Sequence, residues 1–413
     1  MTEQAISPTQ SQSRAGFIAA LQQPAFLVLW LSEALSLVGD RLLIVALVML
    51  VYERTHSPIA VGILMMFKAV PSLLMGSVAG VFVDRWNRKW VMVASNLIQG
   101  LLVLLIPFAD ALPLAFALYL AMSVVNQFFV PARAATIPDL VPPLALMAAN
   151  SLFATAFVGA IAVGPAIGGW IVERFGINAA FYADAATFLV PALAVGMLAI
   201  PQARRSPGNR KLGADLGQGL AYARSRADIL TALALIAAAF LVMGTTSVLG
   251  VIIAQDTLHV GAGGFGLMMS AMGGGMLIGA VVAGWLGRKI NRAWLGVAGI
   301  VIMGLATLAL PAITQINLAI AILVLSGFGM VTVQVCSQTT LQSTPEDLRG
   351  RVMGLAQAVN GGAQFLATAL AGVLAEQVGA TAVLMGAGLI ALVAGFAITL
   401  QKQKNRLIGN RRD

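Results

Sequence analysis

The chain has 413 residues, of which 59% are hydrophobic and only 10% are charged. Soluble proteins carry about 25% charged residues, and a globule of this length cannot bury so much apolar surface, because the core fraction grows slowly with size. Most of the chain must therefore lie in lipid, which excludes a soluble enzyme, a disordered tail and a secreted disulfide scaffold. The single cysteine, Cys336, cannot form an intramolecular disulfide. A net charge of +9 raises the question of nucleic-acid binding, which the positions of the charges decide.

Twelve stretches are long and apolar enough to cross the hydrocarbon core, which takes about 20 residues. They lie at residues 26–50, 59–83, 90–108, 112–132, 149–172, 180–200, 229–253, 264–286, 294–311, 317–340, 352–375 and 381–400. Most connections are short, except for a basic segment at 201–228 that divides the helices six and six. The sequence therefore predicts an all-α integral membrane protein with twelve transmembrane helices.

The basic residues predict the orientation, because Lys and Arg in loops are retained on the cytoplasmic side. With the N-terminus inside, nearly all of the 25 basic residues fall inside, including Arg133 after the fourth span, whereas the outer loops carry Arg54 and Arg174. Both termini are then cytoplasmic, in a plasma-membrane protein, and the net charge reports topology rather than nucleic-acid binding. The predicted parts are an N-terminal cytoplasmic segment, a six-helix bundle, a basic linker, a second six-helix bundle and a basic tail, at residues 1–25, 26–200, 201–228, 229–400 and 401–413.

The two halves repeat each other. Gly169-Trp-Ile-Val-Glu173-Arg-Phe-Gly176 ends the fifth span, and Gly372-Val-Leu-Ala-Glu376-Gln-Val-Gly379 ends the eleventh. Thr136-Ile-Pro138-Asp139 and Thr344-Pro345-Glu346 precede those two spans. Parallel repeats of this kind, with a site between the halves near the midplane, are typical of secondary transporters.

Three sets of residues resemble the major facilitator superfamily. Gly80-Val-Phe-Val-Asp84-Arg85-Trp-Asn-Arg88-Lys89 resembles its signature between helices two and three, although Asn87 stands where many members carry Gly, Asp or Glu. Gly159-Ala-Ile-Ala-Val-Gly164-Pro165-Ala-Ile-Gly168-Gly169 resembles the fifth-helix motif of its proton-coupled antiporters. Leu37-Val-Gly-Asp-Arg41, Phe129-Val-Pro131-Ala132 and Thr344-Pro345-Glu346-x3-Gly350-Arg351-Val352 are similar to the macrolide-efflux and enterobactin-exporter branch. The resemblance implies two six-helix pseudo-repeats and proton-driven export.

The loop signature has two interpretations. Gly80 allows two helices to approach, and the Asp84 carboxylate can face the positive N-terminal end of the eleventh span. Arg85, Arg88 and Lys89 can pair with that carboxylate or with anionic headgroups. The loop is then either a latch that closes the cytoplasmic side or a membrane anchor with a helix cap.

The fifth-helix motif also has two interpretations. Gly159, Gly164, Gly168 and Gly169 thin one face of the helix, and Pro165 removes a backbone hydrogen bond. These residues serve either ordinary helix packing or a tight contact between the halves that sets the direction of exchange.

Ionisable residues inside a span are costly and usually mark a pathway or an ion pair. Glu33, Asp40, Arg41 and Lys68 lie within predicted spans, with Asp184 near the outer end of the sixth. Asp40 and Lys68 lie at similar depth, so one interpretation is a structural ion pair; the other is that Glu33 or Asp40 takes up a proton. Glu33 lies farther along its helix from the two cations, which makes it the better proton acceptor.

Amide side chains are candidates for a substrate cavity, although interhelical hydrogen bonding explains them as well. They are Gln99, Asn126, Gln127, Gln334, Gln338, Asn360 and Gln364. The chain has no Cys/His metal cluster and no phosphate-binding loop, so we expect no enzyme activity, metal, cofactor or ATP use.

We therefore predict a monomeric secondary transporter that exports amphipathic small molecules in exchange for protons across the lipid bilayer. A lysophospholipid or siderophore transporter on the same fold is the main alternative. A membrane sensor or binding protein that does not transport is a more distant one.

Overall fold

The protein is described by a computed structural model that covers residues 16–200 and 212–409. Thirteen long helices account for most of these residues, and residues 16–21 are also helical. The long helices are α1 Pro24–Thr55, α2 Pro58–Arg85, α3 Arg88–Leu105, α4 Leu112–Leu140, α5 Leu146–Phe175, α6 Ile177–Gly196, α7 Leu212–Ser225, α8 Ala227–Ile252, α9 Ala262–Leu286, α10 Arg292–Ala309, α11 Ile316–Gln342, α12 Glu346–Val378 and α13 Ala380–Gly409. The all-α prediction is confirmed.

Helices follow from the apolar sequence, because a backbone in lipid must satisfy its hydrogen bonds within its own segment. Among the described residues, eleven helices are long and apolar enough to cross a membrane. In α2 the described apolar part, Pro58–Ser72, is shorter than these eleven helices. The number of twelve crossings and the cytoplasmic position of both termini stay predictions.

Two helix boundaries differ from the sequence prediction. Helix α4 continues to Leu140, so Arg133 lies inside this helix and not in a loop after residue 132. The charge of Arg133 suggested a helix end, but its side chain has a partner in α1, described below. Helix α7 occupies part of the segment that was predicted as a linker.

Contacts between residues divide the chain into two units. The first consists of Met1–Ala46 and Val70–Gly208, and the second of Leu47–Ala69 and Asn209–Asp413. Each has its own apolar core, which includes Phe26 in the first unit and Ile300 in the second. The division passes through α1 and α2, so the end of α1 belongs to the second unit.

The end of α1 is tied to α8 inside this second unit. The Tyr52 hydroxyl donates a 2.6 Å hydrogen bond to Oδ2 of Asp256. Asp256 lies in a π-helical turn, Ile253–Thr257, which continues α8. Tyr52 itself is only 3% exposed, so the hydrogen bond is shielded from solvent on its donor side.

The internal repeat is visible in the backbone. Helices α5 and α12 end at Gly176 and Gly379, whose φ angles are +84° and +88°. Helices α1 and α8 are followed by His56 and His259, with φ angles of +48° and +51°. The members of each pair are 203 residues apart, so a structural position in the first half has its counterpart about 203 residues later.

Candidate functional site

A buried ion pair joins α1 to α4 in the first unit. Arg133 Nη1 donates to Oε1 of Glu33, and the Glu33 side chain is 6% exposed. The expectation that Glu33 is the better proton acceptor, which rests on its distance from Arg41 and Lys68, stays a prediction, and the structure adds Arg133 as a direct partner. Sequence distance along α1 accounted for Arg41 and Lys68 but not for a cation on another helix.

The ion pair is only partly satisfied by hydrogen bonds. Glu33 Oε2, Arg133 Nε and the nearby indole Nε1 of Trp30 are buried, and none has a hydrogen-bond partner in the described part of the chain. The Arg133 guanidinium also lies over the ring of Phe153, with Cζ 5.2 Å from the ring centroid. A buried ion pair is stabilising only when its remaining polar atoms are satisfied, so this pair is easier to separate than a complete network.

A second group of polar side chains lies farther along α1. Asp40 interacts electrostatically with Arg41, with Tyr119 of α4 and with Asp184 of α6. Asp184 is fully buried; Oδ1 accepts a 3.1 Å hydrogen bond from Thr187, and Oδ2 has no partner among the described residues. Two acidic residues, Asp40 and Asp184, thus lie in the same part of the first unit, near Arg41 and Tyr119. The sequence identified both aspartates but gave no indication that Tyr119 joins them.

Arg41 contacts an aromatic ring and packs closely against a glycine. Its guanidinium lies over the ring of Phe157, with Cζ 5.3 Å from the centroid, and its Nε has no hydrogen-bond partner within the described residues. A Cβ atom on residue 164 of α5 would lie 2.6 Å from Arg41 Cβ. Gly164 therefore provides the space in which Arg41 passes α5.

The fifth-helix motif contacts α1 through two of its glycines. Gly164 faces Arg41, and Gly168 faces Leu42, with 2.9 Å from a Cβ at residue 168 to Leu42 Cα. Gly159 has open space around it; Pro165 and Gly169 are buried. The packing interpretation accounts for Gly164 and Gly168, and the contact between halves stays a prediction.

The same packing position is occupied differently in the second unit. There Gly244 of α8 faces α12, and a Cβ atom on residue 244 would lie 2.8 Å from Ala367 Cβ. Gly244 and Ala367 follow Arg41 and Gly164 by 203 residues each. The glycine of this contact thus lies on the fifth helix of the repeat in the first unit (Gly164) and on the first helix of the repeat in the second unit (Gly244).

The loop signature is anchored by Arg88. Arg88 Nη1 donates to Asp139 Oδ2 at 3.0 Å and to the Ala135 carbonyl at 3.2 Å, and both side chains of the ion pair are at most 10% exposed. The predicted partner, Asp84 or a headgroup, is therefore replaced by Asp139 of α4. The sequence singled out Asp139 only as part of the repeat.

The other signature residues lie around this anchor. Lys89 Nζ lies 5.2 Å from the ring centroid of Trp90, Arg85 is exposed at the end of α2, and Asn87 caps α3 by accepting from the Trp90 N–H. The surroundings of Gly80 and the side chain of Asp84 lie outside the described part of the structure. The latch stays a prediction.

The remaining predicted site residues are dispersed. Lys68 is exposed in α2, and its ion pair with Asp40 stays a prediction. Gln99 and Gln127 donate to backbone carbonyls of their own helices, at 3.2 and 3.0 Å. The other predicted amides are half-buried, as Gln127 is; they are Asn126, Gln334, Gln338, Asn360 and Gln364. Within the described residues, no three His, Cys, Asp or Glu side chains are grouped to hold a metal ion.

A family model places the chain among known proteins. The model of the Major Facilitator Superfamily matches residues 29–366, with a further match at 235–410. The chain belongs to the Major Facilitator Superfamily. This confirms the resemblance that the loop and fifth-helix motifs indicated. As a member of this superfamily, the protein is a multi-pass transporter of the plasma membrane and not an enzyme.

Three relatives are transporters. This superfamily member is 27% identical over 404 residues to YfiS of Bacillus subtilis (strain 168), an uncharacterized MFS-type transporter, covering 92% of this chain and 94% of YfiS. It is 28% identical over 375 residues to the multidrug efflux pump Tap of Mycolicibacterium fortuitum, covering 86% and 90%. Macrolide efflux protein A of Streptococcus pyogenes is 25% identical over 186 residues, which cover 43% of this chain and 45% of the efflux protein.

A solved structure shows the same fold. The nucleoside transporter NupG is similar with a TM-score of 0.71 over 91% of this chain and 98% of NupG, at 15% identity. At this identity the likeness concerns the arrangement of helices alone.

Proposed function

We propose that this transporter exports amphipathic small molecules in exchange for protons by alternating access. Its similarity over most of its length to a multidrug efflux pump supports export. The observation that carries proton coupling is the buried and incompletely hydrogen-bonded pair of Glu33 and Arg133. A proton on Glu33 removes the attraction that holds this pair together, while Arg133 keeps its contact with Phe153.

Asp40 is the second proposed coupling residue. Arg41 lies next to it, so Glu33 and Asp40 each have a neighbouring arginine. The fully buried Asp184 lies near Asp40, and two like charges in an apolar region disfavour each other. Asp40 is therefore the second carboxylate whose neutralisation the transport assay tests.

The cytoplasmic gate and the substrate cavity complete the proposal. Arg88 fixes the start of α3 to Asp139, which gives the signature loop a rigid base. On it, Gly80, Asp84, Arg85 and Lys89 form the proposed latch. The half-buried amides, from Asn126 to Gln364, are better cavity candidates than Gln99, which is 1% exposed and hydrogen-bonded to its own helix.

The test uses purified protein in liposomes with an imposed proton gradient and ethidium as an amphipathic probe. The informative variants are Asp40→Asn and the double variant Glu33→Gln with Arg133→Gln, which removes both charges of the pair and leaves no buried ion unpaired. Glu173→Gln, an exposed carboxyl at the end of α5, is the matched control. We expect ethidium-dependent proton movement to be lost in the double variant and unchanged in the control.

Two results contradict the proposal. Export that continues after a protonophore has collapsed the gradient contradicts antiport. Proton movement that is unchanged in both the double variant and Asp40→Asn contradicts the assignment of the coupling residues. Parallel assays with a lysophospholipid and a siderophore test the alternative substrates, and gradient-independent binding without transport of any of them would favour a sensor.

A further inference from the structure

The two halves carry the same arginine at the start of equivalent helices. Arg88 begins α3 and Arg292 begins α10, each after an asparagine whose side chain caps the helix. Arg88 is buried against Asp139; in the second half residue 343, 204 positions later, is serine, and the acidic residue of the repeated motif, Glu346, is exposed at the start of α12. Arg292 forms no ion pair with another described residue. Among the described residues, the buried ion pair of Arg88 and Asp139 thus has no counterpart in the second half.

Arg292 borders a cavity inside the second unit. The cavity has a volume of about 150 Å³ and lies between the first turns of α8 and α10 and the last turns of α11; Arg292, Asp228, Ser337 and Thr340 line it. A neighbouring cavity of about 200 Å³ shares Arg292 and adds Arg288. The volume suits a small polar group or a few water molecules.

Ser337 points to what this cavity binds. It is 2% exposed, and its Oγ has no hydrogen-bond partner in the part of the chain that the structure describes. By contrast, Thr231 and Thr340 of the same cavity donate to backbone carbonyls at 2.7 and 2.9 Å. A buried hydroxyl without a partner is unfavourable, so Ser337 has a donor available for a bound acceptor.

The first half explains why this space exists. The residue equivalent to Ser337 is Arg133, which is paired with Glu33, and the residue equivalent to Glu33 is Ile236. Replacing an ion pair by serine and isoleucine removes the long side chain that occupies the corresponding position of the first unit. Of these two residues, Ser337 lines the cavity, and it is a short side chain where the first unit has an arginine.

The charge around the cavity favours an anion. Asp228 is the acidic residue in the lining, and both of its oxygens accept from Arg226, at 3.1 and 2.9 Å. Arg292, which is exposed, then has no acidic partner of its own among the described residues, and the N-terminal end of α10 adds partial positive charge. Guanidinium groups match the oxygens of phosphate in geometry.

We propose that this cavity binds a phosphate group, held by the guanidinium of Arg292 and the hydroxyl of Ser337. The phosphate comes either from a phospholipid headgroup or from a soluble phosphate. The cavity lies on the predicted cytoplasmic side, where anionic lipids are abundant. This site is independent of the proposed proton exchange, so each can fail without the other.

Binding is measured on the full-length protein in detergent in two ways. Radiolabelled inorganic phosphate is followed by equilibrium dialysis, and retained phosphatidylglycerol by native mass spectrometry, with phosphatidylcholine as the lipid control. The variants are Arg292→Gln, Arg292→Lys and Ser337→Ala. Arg224→Gln, an exposed arginine of α7 in the same unit, is the matched loss of charge.

We expect Arg292→Gln to weaken binding by about tenfold or more, Ser337→Ala by about threefold, and Arg292→Lys to restore part of the affinity. Arg224→Gln should bind as the wild type does. Saturable binding of inorganic phosphate identifies a soluble source, and retention of phosphatidylglycerol alone identifies a headgroup. If neither probe binds, or if Arg292→Gln and Arg224→Gln weaken binding equally, the proposal is wrong.

Discussion

Arg41 and Gly164 occupy one packing position between α1 and α5, because a Cβ atom at residue 164 would lie 2.6 Å from Arg41 Cβ and 3.0 Å from its Cγ. Neither atom is the flexible end of the side chain, so a larger residue at position 164 has to displace α1 itself. The place of Arg41 among Asp40 and Tyr119 therefore depends on a glycine of another helix.

Gly164→Ala tests this dependence. We expect it to lower the thermal unfolding midpoint of the purified protein, by an amount equivalent to about 1–3 kcal/mol, because overpacking shifts the backbone of α1. Gly159→Ala, five residues earlier in the same helix, meets open space and should leave the midpoint unchanged or raise it. Equal effects of the two substitutions would contradict the packing described here.

Asp139→Asn tests the buried ion pair with Arg88. The pair has side chains that are 5% and 10% exposed, and removing one partner leaves a buried arginine without a counter-charge. We expect a loss of stability of about 3 kcal/mol, measured by thermal unfolding in detergent. Asp228→Asn is the control, because its pair with Arg226 is 45% or more exposed on both sides and should contribute about 0–1 kcal/mol. A larger loss of stability in Asp228→Asn than in Asp139→Asn would contradict the prediction that the buried pair contributes more.

Tyr52→Phe tests the contact between the end of α1 and the π-helical turn of α8. The substitution removes only the hydroxyl that donates to Asp256 at 2.6 Å. Hydrogen bonds to charged groups contribute about 1.5–3 kcal/mol, so we expect a lower unfolding midpoint with normal expression. Tyr182→Phe removes a hydroxyl from a tyrosine that is 46% exposed and should have no effect. An unchanged midpoint in Tyr52→Phe would mean that the hydrogen bond is not formed in the membrane protein.

Asp184→Asn tests whether a charge is needed in the interior of the first unit. Asparagine keeps the oxygen that accepts from Thr187 and removes a carboxyl group from the neighbourhood of Asp40. Because a neutral amide is less costly to bury than a carboxylate, we expect the variant to be at least as stable as the wild type. Glu376→Gln, at an exposed position, should also be neutral. A marked loss of stability in Asp184→Asn alone would show that the carboxylate has a partner which the amide cannot replace.

The helices were predictable because the signal for a membrane span is local. About 20 apolar residues suffice, and most predicted spans lie within the observed helices, as 294–311 does for α10 with its short continuation to Ala312. Helix α7 was missed because the basic residues of its segment indicated a linker. Leucines at 212, 216 and 220, one helical turn apart, were the available signal.

The partners of the buried charges were not predictable in the same way. Glu33 and Arg133 are 100 residues apart, and nothing in the sequence of either helix indicates their contact. A charge at the edge of an apolar stretch is normally the end of a span, which is why Arg133 suggested a loop. The repeat contains a further signal, because Arg133 aligns with Ser337, a residue inside the predicted tenth span.

In the first unit Arg41 packs against Gly164, and at the equivalent positions of the second unit Gly244 packs against Ala367. This difference has a consequence for chimeric proteins. A chain with residues 227–259 in place of 24–56 would put glycine opposite Gly164 and leave a void between two helices. The reverse chimera would force an arginine against Ala367, where a Cβ atom alone already comes within 2.8 Å. The two repeats of this transporter have therefore diverged into parts that are not interchangeable, and recombination between them requires exchanging the fifth helix of the repeat together with the first.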